Sequence, residues 1–267
     1  MFDKHLSIFG LVGLGLLALG NFYLAAPQNE SQKNALTFSS TAKWDDYHLA
    51  KLAEPLRYPE SLFAGISLPP PPSNASSETS RDLTTIKEYR ALRTPEAIKD
   101  IVSEQTPENT QLGTYNLKTY MDGVRFPATA VLLYDSFHDV TVITLREKKK
   151  FDRVRPSALD RSIDTVIPIP GHPAYPAGHS AQTHFLAYVF SELAPARRAE
   201  FIERADQISK NRVIAGLHYP EDNVAGVLLA QQIFEILMKN ERFLTLLAAA
   251  KEEWAMHPEL VQARANP

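Results

Sequence analysis

The chain contains no cysteine in its 267 residues. That excludes disulfides, a thiol nucleophile, thiolate zinc ligands and a lipidated N-terminal cysteine. It lacks any strong charge imbalance: 28 Lys and Arg stand against 31 Asp and Glu, a formal net charge of −3. Nucleic acid is therefore not expected as a partner. Alternating runs of β period are few and no internal repeat is present, which leaves helix as the dominant element. The pair His179 and His184 lacks the His-Glu-x-x-His pattern and any local third ligand, so no metal centre is expected. After the N-terminus no apolar run is long enough to span a bilayer. Asn223–Met238 comes nearest, but Gln231, Gln232 and Glu235 interrupt it, and it reads as a mostly buried helix.

Apolar residues make up 44% of the chain, enough for a sizeable core. In residues 1–26, Lys4 and the amino terminus precede an apolar run from Leu6 to Gly20. This is the pattern of a signal peptide or, if the run continues through Ala26, of an N-terminal membrane anchor; either would export the remainder. Residues 27–80 read as an extended arm carrying the proline run Pro69–Pro72. Residues 81–255 read as a single compact helical domain, and 256–267 as a C-terminal tail. Thr94 and Pro95 open one helix as cap and first residue. Further helices are expected over about 127–155, 180–193, 195–215, 220–239 and 241–254. The fold class is all-α.

Three segments could carry chemistry. Lys148 and Arg155 are seven residues apart, two helical turns, and share a face if the helix persists to Pro156. They could clamp an anion, or form a solvated basic helix end. In Ala174–His184, Gly178 and His179 stand where a helix begins. The unpaired N–H groups there suit an anion, a glycine allows close approach, and a histidine titrates near neutral pH. In Asn211–Asp222, Gly216 can end one helix in a left-handed conformation and Pro220 can open the next. Asp222 would then reach back to His218, fixing its tautomer and leaving one nitrogen as nucleophile or base, with Arg212 close by. The alternative is an ordinary helix–turn–helix joint with a capping aspartate. Of the other histidines, His184 falls on a neighbouring helical face. His172 either lines a substrate mouth or is incidental, and His138 is a helix-surface or packing residue.

Taken together and in order, these segments resemble the signature of the type 2 phosphatidic acid phosphatase and vanadium haloperoxidase superfamily. That signature is Lys-(six residues)-Arg-Pro, Pro-Ser-Gly-His, and Ser-Arg-(five residues)-His-(three residues)-Asp. Here it reads Lys148…Arg155-Pro156, Pro176-Ala177-Gly178-His179, and Asn211-Arg212…His218…Asp222. The proline run, Lys87–Glu96 and Asn240–Trp254 are similar to bacterial class A nonspecific acid phosphatases in particular. The resemblance implies an all-helical periplasmic or secreted phosphatase that hydrolyses small phosphomonoesters without a metal, with lipid phosphates among the candidate substrates. It implies His218 as the nucleophile forming a phosphohistidine, Asp222 as its support and His179 as general acid. Lys148, Arg155, Arg212 and the Gly178 N–H would hold phosphate. Vanadate would inhibit by mimicking phosphate, or serve as cofactor if the protein were instead a haloperoxidase. A third reading is a non-catalytic phosphate- or phospholipid-binding protein. Homo-oligomers are common in the family. Two positions depart from the signature: Ala177 and Asn211 each replace a serine.

Overall fold

The computed structural model describes residues 29–105, 111–112 and 115–262. The choice between signal and anchor falls outside them. Among the described residues no helix is long and apolar enough to cross a membrane.

The arm is not simply extended. It holds α1 (Glu30–Asn34), α2 (Phe38–Thr41) and α3 (Asp46–Leu52), started by the side-chain caps Asn29, Thr37 and Asp45. After a 3₁₀ turn at Glu60–Phe63 and the proline run come α4 (Ser77–Tyr89) and α5 (Pro95–Ser103), capped by Ser76 and Thr94. A two-residue antiparallel ladder pairs Gln111–Leu112 with Tyr115–Asn116. Then follow α6 (Leu117–Tyr120), α7 (Pro127–Phe151), α8 (Pro156–Leu159), α9 (Gly178–Leu193), α10 (Arg198–Ile214), α11 (Pro220–Leu237), α12 (Glu241–Ala255) and α13 (Pro258–Val261).

The centre is α9. Ala181, Phe185, Leu186, Ala187, Val189 and Phe190 are all fully buried, and a helix apolar on nearly every face belongs in the middle. Helices α7, α10, α11 and α12 pack around it. Helix α11 crosses the start of α9 closely. A Cβ on Gly226 would lie 2.6 Å from the Ala177 carbonyl oxygen and 2.8 Å from Ser180 Cβ.

Helix α7 ends at Phe151 rather than Arg155. Asp152 adopts a left-handed φ of 47° while its N–H still bonds Lys148 O. Aspartate tolerates that conformation, and the arm holds it there. Phe38 N–H donates to Asp152 O at 2.8 Å, and the Ser39 hydroxyl donates to its carboxylate at 2.9 Å. Lys148 and Arg155 therefore do not share a helical face, and the chain turns between them. The arm is tied down further along. Arg57 and Tyr58 N–H donate to the buried Asp139 carboxylate of α7, and Ser67 exchanges two bonds with Gln232 of α11.

Candidate active site

The joint between α10 and α11 is built as its residues dictate. Gly216 has φ of 78°, and a Cβ there would sit 2.5 Å from Asp164 O. Pro220 is the first residue of α11 and Asp222 the third. Asp222 Oδ2 accepts from Tyr219 N–H and from His218 Nδ1, both at 3.0 Å. A carboxylate only accepts, so Nδ1 carries the proton and Nε2 keeps a lone pair. The other oxygen, Oδ1, accepts from Arg153 Nη1 at 2.7 Å. Burial alone would raise the Asp222 pKa, but Arg153 and the His218 bond outweigh it and bring it down to about 2. Burial, then Arg155, pushes His218 down to about 3. His218 is thus a neutral, oriented imidazole.

The cations gather opposite it. Lys148 is buried, and its Nζ donates to the Pro173 and Ala174 carbonyls at 2.8 and 3.0 Å. Arg155 caps α8 and donates from Nη1 to Leu217 O at 2.9 Å and to His218 Nε2 at 3.0 Å. Arg212, in the last turn of α10, donates from Nη2 to Glu104 at 2.7 Å. Its Nε and Nη1 are buried with no hydrogen-bond partner among the described residues. Such donors are costly to leave unpaired, and an oxyanion could satisfy them. Gly178 is the first residue of α9, where N–H groups have no intrahelical acceptor. His179 donates from Nε2 to Glu104 O at 2.7 Å, which leaves Nδ1 for a ligand. Burial, then Arg212, lowers the His179 pKa well below the usual histidine value. Lys148, Gly178, His179, Arg212 and His218 line one cavity of about 550 Å³. Arg155 meets it through His218.

Gly178, at the start of α9, and Gly226, in α11 packed against it, differ in what they make room for. A Cβ on Gly178 would meet Lys148 Cε at 3.7 Å and Thr144 Cγ2 at 3.9 Å, ordinary contacts within the protein. Gly178→Ala is expected to fold with a near-normal melting temperature but to bind phosphate and vanadate at least several-fold more weakly, because the methyl enters the cradle. Gly226→Ala meets backbone instead and is expected to lose about 1–3 kcal/mol of stability. Thermal unfolding with vanadate inhibition for each variant checks the contrast. A Gly178→Ala protein that melts normally with unchanged inhibition would remove the glycine from the cradle.

Several residues of the site were not visible in the sequence. Arg153 lies two residues before Arg155 in a non-helical stretch, so the two can face the same way; that alternation was the available signal. Glu104 is 1% exposed and holds three side chains. Arg204 donates to it at 2.9 Å, Asn211 at 3.0 Å to both oxygens, and Arg212 at 2.7 Å. Asn211, where the signature has serine, is thereby accounted for. An acid capping the C-terminus of α5 opposes the helix dipole, which is the one sequence hint that Glu104 has other business.

The remaining histidines sort as follows. His172 lines the cavity, and its carbonyl accepts from Arg155 Nη2 at 2.8 Å. His138 also lines the cavity instead of lying on the helix surface; its Nε2 donates to Pro55 O at 3.0 Å and its Nδ1 accepts from Lys51 at 3.3 Å. It is buried because the arm covers that face of α7. The arm also brings His48, whose ring lies 4.5 Å from that of His172. His184 is away from the cavity, with Nδ1 donating to Ser180 O and Nε2 at 3.0 Å from Asp206. Among the described residues no group of three or more His, Asp or Glu is placed to hold a metal.

A helical core that brings buried cations beside a carboxylate-held histidine offers a place where a tetrahedral oxyanion could bind. The family model described as PAP2 superfamily matches residues 127–242, the span that holds all three signature segments. Over that span, a little under half of its length, the chain resembles enzymes of the PAP2 superfamily. A non-specific acid phosphatase of Providencia stuartii is 26% identical over 201 residues, 70% of this chain and 79% of that protein. A lipid A 1-phosphatase of Rhizobium etli is 34% identical over 84 residues, 30% of this chain and 36% of the relative. Among solved structures, a bacterial vanadium-dependent iodoperoxidase superposes with a TM-score of 0.56 at 17% identity. That match covers 76% of this chain and 61% of the other, a likeness of fold.

Proposed function

We propose that the protein is an exported, metal-independent acid phosphatase that hydrolyses phosphate monoesters through a phosphohistidine at His218. The observation that carries this is the His218 ring. Its Nδ1–H is fixed on Asp222 at 3.0 Å while Nε2 keeps its lone pair beside the cations of one cavity. Export is supported by the apolar N-terminal run, and similarity to acid phosphatases supports the reaction class.

The chemistry is an in-line displacement. The His218 Nε2 lone pair forms the N–P bond as the ester P–O bond breaks, and His179 gives its proton to the departing alkoxide oxygen. Lys148, Arg155, Arg212 and the Gly178 N–H hold the non-bridging oxygens, and Arg155 exchanges the His218 nitrogen for phosphate. Asp222 stabilises the positive charge that develops on the ring. In the second half, His179 takes a proton from water, whose oxygen attacks phosphorus as the N–P bond breaks. A phosphate dianion offsets the burial and the cations that depress His179, so substrate binding itself favours the protonated acid. Cations in place of a carboxylate cluster neutralise the phosphate without a divalent ion. Tyr47, Met121, Tyr134, Phe137 and Ile167 line the rest of the cavity and give an organic leaving group a surface.

The test is phosphate release from a panel of nucleotides, sugar phosphates, polyphosphate and detergent-dispersed lipid phosphates at mildly acidic pH. Activity is expected to persist in excess chelator and to be inhibited by vanadate. Loss on chelation, restored by one added metal, would overturn metal independence. Halide oxidation with vanadate and peroxide, without phosphate release, would make the protein a haloperoxidase. Oxyanion binding with neither activity would leave a binding protein.

A further inference from the structure

We propose that Thr144 binds the phosphate, donating from α7 the hydroxyl hydrogen bond that position 177 cannot make. The inference rests on the phosphatase reading above. Hydroxyls inside these helices usually close onto the carbonyl one turn back. Thr141 donates to Phe137 O at 2.8 Å, Thr183 to His179 O at 2.8 Å and Ser191 to Ala187 O at 2.6 Å. Thr144 sits in the same helix as Thr141 but makes no such bond. Its side chain is 2% exposed, and Oγ1 is buried without a hydrogen-bond partner among the described residues.

The position of that hydroxyl is specific. Thr144 lies one turn before Lys148, so both occupy one face of α7, and both line the cavity. Thr144 Cγ2 and Lys148 Cε are the atoms that a Cβ on Gly178 would meet, at 3.9 and 3.7 Å. Thr144 therefore flanks the glycine whose N–H opens α9 towards the ligand. A valine would fill the same volume without an unpaired polar atom. A buried hydroxyl that no protein group satisfies is accounted for when a ligand oxygen accepts from it. Ala177, fully buried at the cap of α9, has a methyl where the superfamily signature has a hydroxyl. The donor has moved from the start of α9 to the wall of α7.

Thr144→Val and Thr144→Ser in the full chain test this. The readouts are the vanadate inhibition constant, kcat/KM on p-nitrophenyl phosphate, and the melting temperature with and without inorganic phosphate. Thr144→Val is expected to weaken vanadate and lower kcat/KM by roughly 10- to 150-fold, the worth of one hydrogen bond to a charged group. Its ligand-free melting temperature stays level or rises, and the rise that phosphate induces shrinks. Thr144→Ser stays within a few-fold of wild type, and adding Ala177→Ser to Thr144→Val recovers part of the loss. A Thr144→Val protein with wild-type inhibition and kcat/KM overturns the inference. So does one that loses thermal stability in step with activity, because the hydroxyl would then serve the fold. Wild-type protein that neither binds vanadate nor releases phosphate overturns the phosphatase reading and this inference with it.

Discussion

His218→Ala is expected to lose turnover by several orders of magnitude, on the scale seen when a nucleophile is deleted from an acting group of residues. The fold should survive, since His218 lies at a joint whose geometry Gly216 and Pro220 maintain. With the wild type, acid-free denaturing quench during turnover should trap a phosphoenzyme that is labile to acid and stable to base. Asp222→Asn should leave a slower enzyme, down by about 10³–10⁴, as the ring loses its charged support and its fixed tautomer. The measurement is phosphate incorporation into protein, beside single-turnover kinetics. A phosphoenzyme that persists in His218→Ala would assign the nucleophile elsewhere.

Arg153→Met should be the most damaging change at a residue outside the signature. Arg153 is 2.7 Å from Asp222, and both side chains are buried. Removing the cation leaves a carboxylate uncompensated in the interior, at a cost of about 3–5 kcal/mol. For a domain of this size each kcal/mol shifts melting by roughly 2–4 °C, so a fall of about 10 °C is expected.

The pH dependence follows with its sign. The Asp222 pKa is depressed in the folded protein to about 2. Its contribution to stability is therefore complete above the unfolded carboxylate value and is lost as pH falls towards 2. Without Arg153, burial raises that pKa, and Asp222 takes up a proton in mild acid. Both the acid limb of kcat/KM and the acid unfolding transition should move upward, with Arg153→Lys in between. Arg153→Met with wild-type melting and an unmoved acid limb would show that Asp222 is held by His218 and Tyr219 alone.

Much of the site was legible because its closest couplings are short in sequence. His218 and Asp222 are four residues apart with a proline between them, and α11 puts them in contact wherever it packs. Gly178 and His179 open α9 as the punctuation by Pro176 and Gly178 suggests. The spacing of Lys148 and Arg155 was also informative, but for a different reason from the one it suggested. Both reach the site although α7 stops at Phe151, because Asp152 turns the chain back under the arm. Of the two readings for His138, surface or packing, the same arm decides for packing, by covering that face of α7. A helical period shows that one face of α7 meets α9, but not that α3 covers another.

By itself the sequence determined the helical class, the helix starts and the internal geometry of each signature segment, since capping, turn and one-turn contacts depend on a few consecutive residues. Only the tertiary structure decided what joins those segments. Arg153 reaches Asp222 across 69 positions, and Glu104 reaches Arg212 across 108. It also decided that Asn211 serves Glu104 and that the Thr144 hydroxyl is buried with no hydrogen-bond partner among the described residues. These pairings depend on which helix faces the core buries against one another. That choice is made by the packing of α9 among its neighbours, over distances at which no local pattern in the chain constrains the partner.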